Sequence, residues 1–322
     1  MKHLLILSRA LAISLALTTT FALADWPERP VRMVVPYAAG SGVDVAMRPV
    51  ADALARELGQ PVVVDNRGGA GGLIGTQVVA TAAPDGYTIG FGNVVTLAIN
   101  RSFYTKLPYD PESLIPVGLA VGNPYVVIAR NDFPASNFRE LIAYARSNPG
   151  RVMMGSPGHG SAGHLAAAMI ESATGISFSM VPYKTGYQGV GDMVNKQLDV
   201  MMENIAAVGP FVADKRVKAL AVTSLTRAVS MPGVPTVDES GIQKYEILAW
   251  GGLVAPAGTP RPVVLKLNAA LARAMQDPKV TAAHKALSID AHQSTPEQFA
   301  ELIQRETVRW GEMVKRTGVK AD

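Results

Sequence analysis

The chain alternates short apolar runs with longer segments whose apolar residues recur every three or four positions. "VRMVVPY" reads as a buried strand, and "GVDVAMRPVADALAREL" follows as a helix with Val43, Met47, Val50, Leu54 and Leu58 along one face. Strand "PVVVDN", helix "IGTQVVATAA", turn "PDG" and strand "YTIGFGN" come next. This strand–helix–strand alternation predicts a parallel sheet covered on both faces. "AINRSFYTKLPYDPESL" carries neither period and reads as a loop. A second alternating set opens with "VVIAR" and runs through "RVMMG", "FSMVPYK", "LDVMMEN" and "VKALAVTS", with helices between them. "ILAWGGLVAPAGTP" then leads into C-terminal helices. The last opens on Thr295-Pro296-Glu297-Gln298, a capping box with proline at the first helical position. Phe299, Leu302, Ile303, Trp310 and Met313 form its apolar face. Two α/β sets with helices returning at the end predict two lobes, the first discontinuous in sequence. Ligands of open α/β sheets sit beyond the C-terminal ends of the strands. In a two-lobed chain those ends can face one cleft.

The first 24 residues stand outside this pattern. "MKHLLILSRALAISLALTTTFALA" has a basic start, an apolar stretch and Ala22-Leu23-Ala24 before Asp25, the form of a cleaved secretory signal peptide. No later segment has the ~20 consecutive apolar residues a membrane span needs. The expected product is exported. The formal charge of +4 falls by the positive charges of Lys2 and Arg9 to +2 on cleavage, and the remaining Lys and Arg are scattered. A nucleic-acid partner is therefore not expected. The chain has no cysteine, which excludes disulfides and thiolate metal sites. At about 300 residues a chain buries enough surface without such staples.

Three glycine-rich loops follow apolar runs: "PYAAGSGVD", "NRGGAGGLIG" and "GSPGHGSAGHL". A dinucleotide fingerprint fails, because Ile74 and Val45 stand where the third glycine falls due, and no Walker lysine is present. A G-x-S-x-G nucleophile elbow fails too, since His159 precedes Ser161 and Met154 precedes Ser156 at the first glycine position. Ser161 and His164, three apart at a helix start, suit an N-cap better than a nucleophile–base pair. No HExxH motif or Cys/His cluster appears, so neither a metal nor a cofactor is expected. What remains is the physics of the helix start. Its first N–H groups lack intrahelical partners and carry about half a positive charge. Small residues let an anion approach them closely. Ser41 and Asp44 open the first helix by the same logic.

In order and spacing, "WPERPVRMVVPYAAG", "LGQPVVVDNRGGAGGLIG", "APDGYTIGFGN", "GSPGHGSAGHLAAAMI", "VPYKTGYQGVGDM", "QLDVMMEN", "PGVPTVDESG" and "WGGLVAPAGTP" resemble the periplasmic receptors of tripartite tricarboxylate transporters, the Bug family. The resemblance covers the whole mature chain. It implies an α/β, two-lobed type II periplasmic-binding-protein fold, each lobe a mixed, mostly parallel sheet flanked by helices, with the ligand cleft between lobes. Residues 25–121 and 247–322 would form the first lobe and 122–246 the second. It implies a monomeric, non-enzymatic receptor that captures a small carboxylate and delivers it to a two-component membrane permease. The ligand residues it implies are Tyr37, Ala39, Gly40, Ser41, Gly42, Asp44 and Asn93 in the first lobe. In the second they are Ser156, Pro157, Gly158, Gly160, Ser161, Ala162, His164, Thr185, Glu203 and Asn204.

The sequence departs from the family pattern at Ser41 and Thr185, where glycines are usual, and at Glu203, where aspartate is. These departures are compatible with an unusual or aromatic acid. Pro49 inside the first helix is expected to kink it. Asp44 and Arg48 either pair along the helix or face the cleft. Tyr37 either stacks on ligand or packs between lobes. Lys184 is expected to pair outside the cleft, and His284 and His292 to lie on the surface. Two other classes stay open: a subunit presenting ligand to a membrane sensor kinase, and an exported α/β enzyme.

Overall fold

The computed structural model describes residues 26–156, 161–183, 186–287, 289 and 291–317. The leader, Pro157 to Gly160, Lys184 and Thr185 lie outside them. In chain order the first half runs β1 (Val31–Val35), α1 (Gly42–Leu58), β2 (Val62–Asn66), α2 (Leu73–Ala80), β3 (Thr88–Asn93), α3 (Asn100–Phe103) and β4 (Leu114–Ala129). Then come α4 (Phe138–Ser147), β5 (Met153–Ser156), α5 (Ala162–Thr174), β6 (Ser179–Pro182), α6 (Gly186–Val194), β7 (Val200–Asn204) and α7 (Ile205–Ala213). Last are β8 (Lys218–Val222), β9 (Leu248–Pro256), α8 (Arg261–Ala274), α9 (Pro278–Ala286) and α10 (Pro296–Thr317).

The sheet is mixed. β1 pairs in parallel with β2 and β3, and β5 with β6 and β7. β9 joins β3 antiparallel, and β4 pairs antiparallel with β9, β7 and β8. β4 joins the two halves. From Leu114 to Pro124 it pairs with β9, and from Tyr125 to Ala129 it pairs with β7 and β8. The sequence pattern located only the end of this strand, because Pro116, Gly118, Gly122 and Pro124 interrupt its period. Two register shifts, at Pro116/Gly118 and Leu119/Val121, mark the same interruptions. The stretch read as a loop before β4 holds a π-helical turn, Val95–Ile99, and α3. Leu97, Ala98, Ile99 and Phe103 there are buried against the core.

Alternation along the strands divides the core. Met33, Val50, Leu54 and Leu267 pack on the outer face of the first lobe. Val126, Ile128, Val190 and Met201 pack on the outer face of the second. Between them a single cluster runs from Val34 and Leu97 through Val127 and Leu165 to Trp250, covered by Phe299 and Trp310 of α10. The predicted capping box of α10 forms: Gln298 N–H donates to Thr295 Oγ1 at 3.2 Å, and Thr295 N–H to Gln298 Oε1 at 2.9 Å.

Helix α1 continues through Pro49 from Gly42 to Leu58, so the expected kink does not interrupt it. Its buried face, Met47, Val50 and Leu54, packs with α8 residues in one cluster, which holds the helix past the lost hydrogen bond. Of the two histidines read as surface residues, one is buried and the other half-buried. His284 is 1% exposed and bonds Ala46 O through Nε2 at 3.0 Å. His292 is half-buried, with Nε2 3.2 Å from Gly122 O. Each docks a C-terminal segment onto backbone, a tertiary role that local pattern does not encode.

Candidate ligand-binding site

The register fixes where the strand ends point. β4 runs in the same direction as β1 and β3, passes Val121 opposite Gly251, and continues to Tyr125 opposite Asn204. β7 arrives from the other side, ending at that point, with β5 parallel to it. The C-terminal ends of β1, β3, β5 and β7 are therefore directed toward one stretch of β4, Val121 to Tyr125. Loops from both sheets meet there.

After β1 the chain enters Pro36–Ser41 and turns into α1. Gly40 has φ +77°, a left-handed conformation that glycine adopts without a Cβ clash. Ser41 caps α1, its Oγ accepting Asp44 N–H at 3.3 Å. Asp44 is 2% exposed and its carboxylate is fully engaged. It accepts Gly40 N–H at 2.7 Å, Arg48 Nε–H at 3.0 Å and Asn66 Nδ2–H at 2.9 Å. Burial alone would raise its pKa, but these bonds from Arg48, Gly40 and Asn66 hold it below the usual range. Asp44 thus pairs along the helix and organises the loop.

Asn66, at the end of β2, was not among the expected site residues. It donates to Asp44 and to Tyr37 O at 3.2 Å, and accepts from Arg48 at 3.0 Å. The loop behind it, rejected as a nucleotide cradle, is a support. A Cβ on Gly68 would lie 2.9 Å from Ala38 N, and one on Gly75 2.6 Å from Pro36 Cα. Glycine there lets the second loop press against the first.

Asn93 at the end of β3 faces two ways. Its Oδ1 accepts the N–H groups of Val95 and Thr96, both at 3.1 Å, and its Nδ2 donates to the Tyr37 hydroxyl at 2.6 Å. Burial raises the Tyr37 pKa, against the opposing pull of Asn93, so this hydroxyl stays neutral at physiological pH.

In the second lobe Ser156 ends β5 buried, its carbonyl accepting Tyr183 N–H at 2.9 Å. Ser161 caps α5, its Oγ accepting His164 N–H at 3.1 Å, as the spacing predicts. Ala162 and His164 are buried behind it. Asn204 caps α7 by accepting Ala206 N–H at 2.9 Å. Glu203 beside it is buried and accepts Asn204 N–H at 2.7 Å. Tyr125, also missed in sequence, lies at the same junction, and the charges of Glu203 and Tyr37 both act on its hydroxyl. Pro157, Gly158, Gly160 and Thr185 fall outside the described residues. Three helix N-termini, capped by Ser41, Ser161 and Asn204, thus begin at strand ends directed to one place. No group of three or more His, Asp or Glu among the described residues is arranged to hold a metal.

The family model of the tripartite tricarboxylate transporter family receptor matches residues 46–319. The chain belongs to that family. The solved structure of the periplasmic binding protein BugD superposes with a TM-score of 0.79 at 38% identity, covering 92% of this chain and 99% of that one. Rpa4515 of R. palustris, solved with adipate, matches with a TM-score of 0.82 at 30% identity, covering 92% and 99%. MatC from Rhodopseudomonas palustris, with bound malate, matches with a TM-score of 0.78 at 32% identity, covering 90% and 100%. The two-lobed α/β fold is common to all of them, and the family is one of solute-binding receptors. No helix among the described residues is long and apolar enough to cross a membrane.

Proposed function

We propose that this receptor is exported, with residues 1–24 as its leader, and captures a small carboxylate between its lobes for a two-component membrane permease. Residues 25–121 with 247–322 make one lobe and 122–246 the other, a division supported by the change of β4 partners between Pro124 and Tyr125. The convergence of capped helix N-termini on that junction carries the reading. Free N–H groups and the helix dipole favour an anion there. The loops Tyr37–Asp44 and Ser156–His164 supply those groups, and the Tyr37–Asn93 pair borders them. The protein binds without converting: Ser161 Oγ is engaged as a helix cap. Adipate and malate in the relatives support a carboxylate class.

A thermal-shift screen of mono-, di- and tricarboxylic acids on the mature protein tests this. A true ligand at 100 times its Kd stabilises by about 2.7 kcal/mol. The bound acid should be recovered unchanged. Absence of any shift across the panel would overturn the proposal.

A further inference from the structure

Glu203 is a buried acid with half its bonding capacity unused. Its side chain is 5% exposed, and one oxygen accepts Asn204 N–H at 2.7 Å. The other oxygen has no partner among the described residues, and no cation there pairs with it. On the adjacent strand Tyr125 is 7% exposed, and its hydroxyl likewise has no hydrogen-bond partner among the described residues. Neither atom is among the fully buried polar atoms that lack a partner, so both reach solvent at the meeting point of the strand ends, where a ligand can meet them.

The surroundings set its protonation. The elements packed against β7 carry Tyr125 on β4, His164 in the first turn of α5 with Glu171 at its far end accepting Phe178 N–H at 2.6 Å, and Tyr187 and Asp192 on α6. Asp192 is held by the Tyr183 hydroxyl at 2.8 Å. β5 and α7 contribute no titratable side chain, and Tyr37 approaches from the first lobe. Desolvation pushes the Glu203 carboxyl up to about 7, with the Asn204 bond opposing it.

Resting on the carboxylate-receptor reading above, we propose that the site takes up its ligand together with a proton, which Glu203 holds and donates as a hydrogen bond to a ligand carboxylate. Two carboxylates cannot both stay ionised side by side in a buried site, so the arriving anion draws a proton from solvent onto Glu203. This end of the site therefore selects a carboxylate over an ammonium, which would instead hold Glu203 ionised and release a proton.

The test is calorimetry with adipate, malate and the best acid of the screen, from about pH 6 to 9, in buffers of different ionisation enthalpy. Above about pH 7 the wild type should take up as much as one proton per ligand, and Kd should weaken about tenfold per pH unit. Glu203→Gln, which mimics the protonated acid, should bind at pH 8.5 without proton uptake and without a pH slope. His164→Asn should keep the slope. Binding by the wild type with no uptake, or with release, overturns the inference, as does a full slope in Glu203→Gln or its loss in His164→Asn. The wild-type measurement decides even where the variant fails to fold. Absence of binding by every acid at every pH would overturn the receptor reading itself, and this inference with it.

Discussion

Asn93 donates to the Tyr37 hydroxyl at 2.6 Å, fastening the loop after β1 to the end of β3. The same Asn93 side chain caps the following turn, so one residue fixes both the loop and its neighbour. Tyr37→Phe removes one hydrogen bond and should cost about 1 kcal/mol of stability. Asn93→Ala removes that bond and both cap contacts, and should cost about 2 kcal/mol. Chemical denaturation of the two variants, followed by titration with the best acid, checks the order. Equal stability of both proteins would refute the shared role.

Asp44 is predicted to act through the loop it holds. Asp44→Ala leaves Gly40 N–H, Asn66 and Arg48 without their acceptor. Breaking a fully buried pair costs roughly 3–5 kcal/mol. Arg48 is 51% exposed, so about 2 kcal/mol is the expected loss. The Asp44 pKa is depressed in the fold. Its contribution is therefore present above the unfolded value and disappears as pH falls through the folded one. Melting curves from about pH 5 downward should converge for wild type and variant.

Gly75 has no space for a side chain. A Cβ there would lie 2.6 Å from Pro36 Cα and 2.7 Å from Arg67 O, both backbone atoms. Gly75→Ala should destabilise by roughly 1–3 kcal/mol, the usual range for overpacking. It should also weaken ligand binding, because Pro36 belongs to the loop before α1. A variant with wild-type melting temperature and Kd would sink this account.

His284 gives the pH dependence an acidic limb. Its pKa is lowered by burial, against the opposing bond to Ala46 O. That bond requires Nε2–H in the neutral ring and leaves Nδ1 buried without a partner. The unfolded chain thus binds the proton more readily, and stability should fall as pH drops through about 6.5. His284→Gln can keep a donor toward Ala46 and cannot titrate. Between about pH 7 and 5 its melting temperature should fall less than that of the wild type.

The helices and most strands were legible because their periods are simple. The caps were legible too: Ser41 and Ser161 sit where a hydroxyl followed by an apolar period marks a helix start. Other features arise from segments far apart in sequence. Asn66 and Tyr125 look like ordinary strand residues, and only the pairing of β2 with β1 and of β4 with β7 brings them to the candidate site. His284 looked like a surface polar residue. It is buried because α9 packs on α1, where its Nε2 meets the Ala46 carbonyl.

β4 has a consequence for how the molecule comes apart. One continuous strand supplies backbone partners to both sheets, and one cluster of buried side chains runs beneath both. Neither half closes its own sheet when the chain is divided, since each needs the strand the other also uses. Unfolding of either half exposes an unpaired edge in its neighbour. The two halves are therefore expected to melt together, as one transition in calorimetry.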